Sequence, residues 1–458
     1  MSLANNGLDV EELRRTVTGE VITDHDEGFE SARRLFYGGV GSRPAALVRV
    51  ADAADVATVV THVSDAATEL AVRSGGHSIA GHGSAEGGVV IDVRGLRTLA
   101  IDVDARTAWA GTGFTAAEMT NALAEHGLAV GFGDSGSVGI GGITLGGGVG
   151  FLSRKHGLTV DSLLAAELVT AQGEILTVDA ESHPDLFWAI RGGGGNFGVA
   201  TRFKYSLAPV DRVVGGLIIL PATVETIAGF ISESQAAADE LSTICNVMTC
   251  PPMPFVPESV VGKTVILGLV MWCGDVEEGH RVMDRFRALG EPLADMLDEM
   301  AYPEIYMPEE EDFQPLVAAL TGFSSGIDEG EISTSLEAIE ASDAPMRAVQ
   351  VRVLGGAISR VPAEATAYAH RDRPMMVNVA AFYEEEGQRQ SRWTWVENLA
   401  KTLTDGDNAG YVGFLADEGP DRVRAAYPGE TWERLRRVKA AYDPDNLFRR
   451  NQNIPPAM

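Results

Sequence analysis

The run RSGGHSIAGHGSAEGG, residues 73–88, sets His77 directly after Gly75 and Gly76 and brings in a second imidazole, His82, between Gly81 and Gly83. A neutral imidazole nitrogen is both a nucleophile and a hydrogen-bonding group near neutral pH. Glycine neighbours remove the side chains that would hold a bulky partner away from the ring. Two more glycine clusters follow, GFGDSGSVGIGGITLGGGVG at 131–150 and GGGGNFGV at 192–199. In non-helical backbone, successive N–H groups free of side chains form concave nests for phosphate, and few basic residues accompany these loops, so backbone would have to hold such a ligand. Tight turns are the competing use of any one cluster. Three clusters in one stretch, one of them carrying histidine, favour the ligand.

Two strings match the dinucleotide fingerprint. Gly111–Ala116, GTGFTA, follows an expected strand and opens an expected helix. That strand, however, ends a hairpin-spaced series, and no acidic residue closes a following parallel strand; Asp134 falls inside the second glycine cluster instead. Gly193–Gly198, GGGNFG, runs into a strand, leaving no helix N-terminus for a pyrophosphate. Neither string is expected to hold a nicotinamide cofactor.

The elements that must position these loops can be read from periodicity. A short amphipathic helix is expected near residues 9–17, then strand, helix and strand through RPAALVRVADAADVATVVTHVSDAATELAVRSGGH. Three short Val/Ile-rich strands, the helix FTAAEMTNALAEHG with its glycine cap, the strand pair LLAAELVTAQGEILTVDA, the helix HPDLFWAIRG and the strand ATRFKYSLAPV complete a glycine-dense α/β module over 1–209. Residues 210–408 change texture, with longer helices such as VETIAGFISESQAAADEL and strands such as MRAVQVRVLGG, and read as a second, α+β domain. Residues 409–458 end in a helix, a proline stop and a polar tail.

Composition narrows the partners. Sixty-five acidic against 36 basic side chains give a formal charge of −29, a field that repels phosphate backbones and anionic membrane surfaces. Neither nucleic acid nor membrane is an expected partner. No apolar run reaches about 18 residues, and MSLANNGLDVEELRRTV lacks the layout of a signal peptide, so a cytoplasmic protein is expected. Cys245, Cys250 and Cys273 form no CxxC pair and read as core thiols rather than a disulfide or zinc framework. YMPEEEDFQP reads as a solvated loop, with weak calcium binding as the lesser alternative. No metal site is expected.

Taken in order, RSGGHS, GSVGIGGITLGGGVG, HPDLFWAIRGGGGNFGV and YDPDNLFRRNQNI resemble the berberine-bridge-enzyme-like flavoproteins of the vanillyl-alcohol-oxidase, or PCMH-type, FAD-binding fold. The resemblance implies an α+β chain of two domains: an FAD-binding domain and a substrate domain whose antiparallel sheet is covered by helices, with the C-terminal segment returning to the first. It implies FAD bonded through its 8-methyl carbon to His77. Many relatives add a second bond through a cysteine three residues before the valine of a Val-Gly pair; Ser135 stands there, so a single bond is expected. His82, which matches no attachment point, is left beside the phosphates or behind the contact residues. Backbone around Arg73, Ser74, Gly75, Gly76 and Ser78, and around Ser137, Val138, Gly139, Gly141, Gly142, Leu145, Gly148 and Gly150, is expected to surround the cofactor, with Val199 and Asn451 approaching from elsewhere.

The same resemblance implies hydride transfer from a small organic substrate (alcohol, sugar, amine, or polyketide or phenolic compound) to FAD. Val138 would gate molecular oxygen, favouring an oxidase that forms hydrogen peroxide. The alternatives are a dehydrogenase using another acceptor and a flavin-binding protein without turnover. Tyr411 is the candidate base, although Gly413 replaces the asparagine of the family's Tyr-x-Asn motif and Ile143 replaces a frequent histidine or tyrosine. Tyr383 and Glu384 are the reserve candidates. Met248, Met253, Met271 and Trp272 read as core more readily than as a substrate pocket.

Overall fold

The computed structural model describes residues 8–308 and 313–457. The acidic run Glu309–Asp312 of YMPEEEDFQP therefore lies outside the described residues, as does the start of the N-terminal segment. The fold is mixed α+β, built on three principal sheets.

The first sheet has the order Glu20–Ile22, Ala46–Arg49, Val89–Asp92, Leu70–Arg73, and its last three strands run parallel. Parallel neighbours need a crossover, supplied between Ala46–Arg49 and Leu70–Arg73 by the helix Ala53–Asp65. Its Val56, Val59, Val60 and Val63 are buried at helical spacing. Asp52 caps the helix, and the carboxylate of Asp55 accepts backbone N–H groups of Thr18, Gly19 and Ala51. The loop carrying His77 thus leaves the carboxyl end of a parallel strand, where α/β sheets place ligand loops.

The second sheet, in the order Leu99–Asp102, Thr107–Gly111, Val199–Ser206, Leu163–Val169, Ile175–Asp179, is antiparallel throughout. The strand before GTGFTA therefore lacks the parallel setting a nicotinamide fold needs. In the second glycine cluster the structure corrects the expectation of wholly non-helical backbone: Ile140–Gly146 is a short helix. Glycine disfavours helix by about 1 kcal/mol per residue, but Ile140, Thr144 and Leu145 are buried there and tertiary packing prevails.

The third sheet runs Ala294–Asp295, Arg212–Pro221, Thr264–Trp272, Leu241–Thr249, Arg347–Val353, Met375–Tyr383, Leu316–Ser324, with Asp298–Ala301 also pairing with Arg212–Pro221. Helices Val224–Ala236, Val276–Arg287, Glu329–Ala341 and Arg389–Leu403 contribute to the core on one face, where Phe230, Phe286, Ile339 and Val396 join Val349, Val351, Val377 and Val379. Strand side chains alternate, so Gln350, Arg352 and Asn378 project from the opposite face. Arg154 ties the glycine module to this sheet, donating to the carbonyls of Ser234, Ala237 and Leu241. Buried Arg371 does the same through Asp161 at 2.7 Å.

The C-terminal helix Glu430–Tyr442 returns to the third glycine cluster. Fully buried Lys439 pairs with Asp443 at 2.6 Å and donates to the carbonyls of Asn196 and Phe448. Desolvation lowers its pKa, and the adjacent carboxylate works against that shift. Asn196 also binds the tail at Gln452 and Ile454.

Candidate functional site

His77 projects from its loop against Phe36, whose ring stacks on the imidazole at 4.1 Å, and Ser137 Oγ lies 2.8 Å from His77 Nε2. Two glycine loops make this meeting possible. A Cβ on Gly139 would lie 2.1 Å from the backbone nitrogen of Gly75, so the loops touch backbone to backbone. Ser74 Oγ accepts the Gly141 N–H across the two loops at 3.4 Å and donates to the carbonyl of Thr112 at 2.9 Å.

Beside the loops lies a cavity of about 950 Å³, at the upper end of the range for ligand pockets. Arg73, Ser74, Gly75, Gly76, His77, Ser78, Ser135, Val138, Gly139, Gly141, Gly142, Leu145, Val199, Tyr411 and Asn451 all line it, from five separate stretches of chain. Ser137, Gly148 and Gly150 do not. Ser137 stands behind His77, Gly148 donates its N–H to Tyr411, and Gly150 packs on the carbonyl of Phe132. Arg73 is 2% exposed and binds Asp92 at 2.8 Å. Burial opposes ionisation of Asp92, yet Arg94 and Arg73 hold its carboxyl down at about 2. Tyr383 lines a different cleft, beside Arg389 and Trp393, and neither it nor Glu384 reaches the cavity. Met271 is core, Trp272 is buried, and none of Met248, Met253, Met271 and Trp272 lines the cavity.

Tyr411 is buried and accepts the Gly148 N–H at 2.9 Å. Burial pushes its phenol up to about 12, against the opposing pull of that N–H and of Arg352. His82 borders the cavity from the other side. Burial, then the charge of Arg450, pushes its imidazole down to about 4, while Asp417 and the adjoining Gln452 side chain act the other way.

The wall opposite the glycine loops holds residues the sequence reading missed. Asn246, Gln350, Asn378 and Thr321 occupy one register row across four adjacent strands, and of these Gln350 and Asn378 line the cavity. Gln350 donates to Asn246 at 2.8 Å, and Thr321 to Asn378 at 2.9 Å. Arg352 Nε donates to Gln350 at 2.8 Å, and its Nη2 meets Asp134 of the second glycine cluster at 2.6 Å. The alternation in AVQVRV and VNV carried the signal: polar residues recurring on one face of strands whose other face is apolar.

Matches to known proteins agree with this arrangement. Residues 44–179 match the family model of an FAD binding domain, and residues 410–455 that of berberine and berberine-like proteins. The chain is 30% identical to (R)-6-hydroxynicotine oxidase of Paenarthrobacter nicotinovorans over 96% of its own length and 97% of the relative's. It belongs to the berberine-bridge-enzyme-like FAD-linked oxidoreductases. The 6-hydroxy-D-nicotine oxidase structure from Arthrobacter nicotinovorans superposes with a TM-score of 0.86 at 26% identity, covering 96% of this chain and 98% of that one. A glucooligosaccharide oxidase from Acremonium strictum, with a 6-S-cysteinyl, 8α-N1-histidyl FAD, shares the fold at 21% identity, with a TM-score of 0.84 and coverage of 98% and 99%.

The cavity suits the cofactor of this family. A Cβ added at Gly142 or Gly195 meets no atom within 4 Å, so backbone opens straight onto the space. Buried polar atoms of His82 and Asn451 lack sound hydrogen bonds beside it, as expected of groups awaiting a polar ligand. Among the described residues, no helix is long and apolar enough to cross a membrane.

Proposed function

We propose that this protein is an oxidase that takes hydride from a small organic substrate onto FAD tethered once, through His77, and passes the electrons to molecular oxygen as hydrogen peroxide. The observation that carries this reading is His77 held at the junction of two glycine loops on the wall of one large cavity. Bound FAD would supply the two-electron acceptor that amino-acid side chains lack. Phe36 and Ser137 orient the imidazole for attachment. Ser135 replaces the second attachment residue, and a hydroxyl does not substitute for a thiolate there; none of the three cysteines lines the cavity.

The loops around residues 74–78 and 139–142 would offer backbone to the pyrophosphate and ring, with Val199 and Asn451 lining the same cavity. Val138 lines the cavity, and the resemblance, in which valine at this position accompanies oxidases, supports an oxidase. At neutral pH the raised phenol of Tyr411 stays protonated, so its role is hydrogen-bond donor to the reacting group, with proton removal falling to another group on the wall.

Acid precipitation tests the tether: the pigment stays with the protein, the intact mass rises by one FAD, and the adduct maps to the tryptic peptide carrying His77. Pigment left entirely in the supernatant overturns the tether. Reduced protein exposed to air regains its colour faster than free reduced flavin; slower recovery makes it a dehydrogenase with a non-oxygen acceptor.

A further inference from the structure

A second cleft, of about 1150 Å³, lies between the helix Arg389–Leu403, the segment 406–422 and the loops 37–40 and 79–80, and shares Tyr37 and Ile79 with the cavity described above. One of its walls is the edge of a sheet. Leu316–Ser324 ends the third sheet and pairs on one side, with Met375–Tyr383. Phe382 donates to Met346 on the far side of that neighbour, so Tyr383, Ala381 and Val379 bond to Leu316, Ala318 and Leu320, and the odd-numbered residues of the edge strand turn their N–H and C=O groups outward. Towards both ends these groups are met: the carbonyl of Pro315 accepts from Gly38, that of Thr321 from Arg422 and that of Phe323 from Asp405. Between them, among the described residues, no hydrogen bond reaches the outward N–H or C=O of Val317 or Ala319. A strand edge left open in this way is a template for another chain.

The side chains around this edge are also unmatched. Tyr383 lines the cleft and is 7% exposed, yet among the described residues its hydroxyl has no hydrogen bond, and that oxygen is not sealed. Glu386, Glu397, Asp417 and Asp421 line the cleft with no ion pair or hydrogen bond among the described residues; the unpaired cations facing them, Arg389 and Lys401, are both exposed and free to turn to water. Along the helix, Gln390, Trp393, Glu397 and Lys401 share the face over the cleft, a run of about 16 Å. Extended chain covers that distance in about five residues. We propose that the cleft takes a basic, extended peptide segment of a partner protein, which adds a short strand to Leu316–Ser324 at Val317 and Ala319. Its backbone would give the open groups their partners, and alternate side chains would lie against Trp393 and Tyr383, with lysine stems on the rings and ammonium groups at the carboxylates. An acidic segment meets those carboxylates and the overall charge of −29. A small polycation answers the carboxylates but leaves the strand edge unpaired.

Calorimetry on the full-length holoenzyme tests this with four probes: the end-blocked pentapeptide Lys-Val-Lys-Val-Lys, its Glu-Val-Glu-Val-Glu counterpart, the basic peptide with its three interior backbone nitrogens methylated, and spermidine. The basic peptide binds at least about tenfold more tightly than each of the other three. Amide hydrogen exchange in residues 316–324 slows when it is bound. Glu397→Gln and Tyr383→Phe each weaken it by about fivefold, the equivalent of one hydrogen bond near 1 kcal/mol, and leave flavin content at the wild-type level, since neither residue lines the other cavity. Methylated peptide or spermidine binding as well as the basic peptide overturns strand addition, and acidic peptide binding as well overturns the charge preference. Absence of binding, or exchange that slows elsewhere and not in 316–324, overturns the site. The probe comparison is made on wild-type protein, so it stands whether or not the variants fold.

Discussion

Ser137 Oγ stands 2.8 Å from Nε2 of His77, joining two segments that lie 60 positions apart in the chain. With Phe36 stacked on the ring, this bond fixes which edge of the imidazole faces the cavity. Ser137→Ala removes the polar restraint and leaves the stacking. Flavin retained in the acid precipitate, relative to protein, falls by about fivefold for the same time of exposure to FAD, the equivalent of one hydrogen bond near 1 kcal/mol. Ser137→Thr recovers most of it. Unaltered attachment in Ser137→Ala would show that stacking alone aims the ring.

Two glycines separate folding from cofactor fit. At Gly139 an added Cβ would lie 2.1 Å from Ser74 Oγ and from the backbone of Gly75, so Gly139→Ala forces the loops apart and lowers both stability and flavin content. At Gly142 the same atom meets nothing within 4 Å and projects from cavity-lining backbone. Gly142→Val therefore keeps the thermal midpoint of the flavin-free protein close to wild type while excluding FAD. Normal flavin content in Gly142→Val would mean that the cofactor runs elsewhere.

Replacing Tyr411 by Phe strips the acceptor from the Gly148 N–H in a buried setting. An unmet buried donor costs about 1–3 kcal/mol, which urea unfolding will register. Because the phenol titrates only near 12, Tyr411→Phe leaves the shape of the pH profile of flavin reduction unchanged below about pH 10, with a rate loss under about tenfold. An inflection in that range that vanishes with the hydroxyl would instead make Tyr411 the base.

What could be read from the chain alone follows from the range over which each signal acts. The strand, helix, strand passage through residues 46–73 and the rejection of GTGFTA rest on local periodicity and turn spacing, and both agree with the structure. The helix Ile140–Gly146 was not legible, because its glycines argue against helix and only burial of Ile140, Thr144 and Leu145 decides otherwise. The row Asn246, Gln350, Asn378, Thr321 was hidden for another reason. Each residue is visible as a polar interruption in an apolar strand, but their alignment depends on strand order, which no local pattern encodes. Asp134 and Arg352 are 218 positions apart, and only the closure of one module on the other joins them.

His82 carries a pH signature of its own. Its imidazole is pushed from an ordinary 6.5 to about 4 by burial and by Arg450, so the folded protein keeps it neutral while the unfolded chain protonates it below 6.5. Between those values the unfolded state binds more protons, and stability rises with pH. The contribution is complete above about pH 6.5 and is lost as pH falls towards 4, amounting to about 3 kcal/mol at most. His156 and His370 are shifted in the same direction by burial and add to the acid sensitivity of any variant equally. The difference between wild type and His82→Gln therefore isolates one group. The urea midpoint of the wild-type holoprotein falls relative to that of His82→Gln on acidification from about pH 7 to about pH 4, because only the histidine must be protonated against its burial. Parallel curves would mean that the bound ligand gives His82 a partner that restores its ordinary titration.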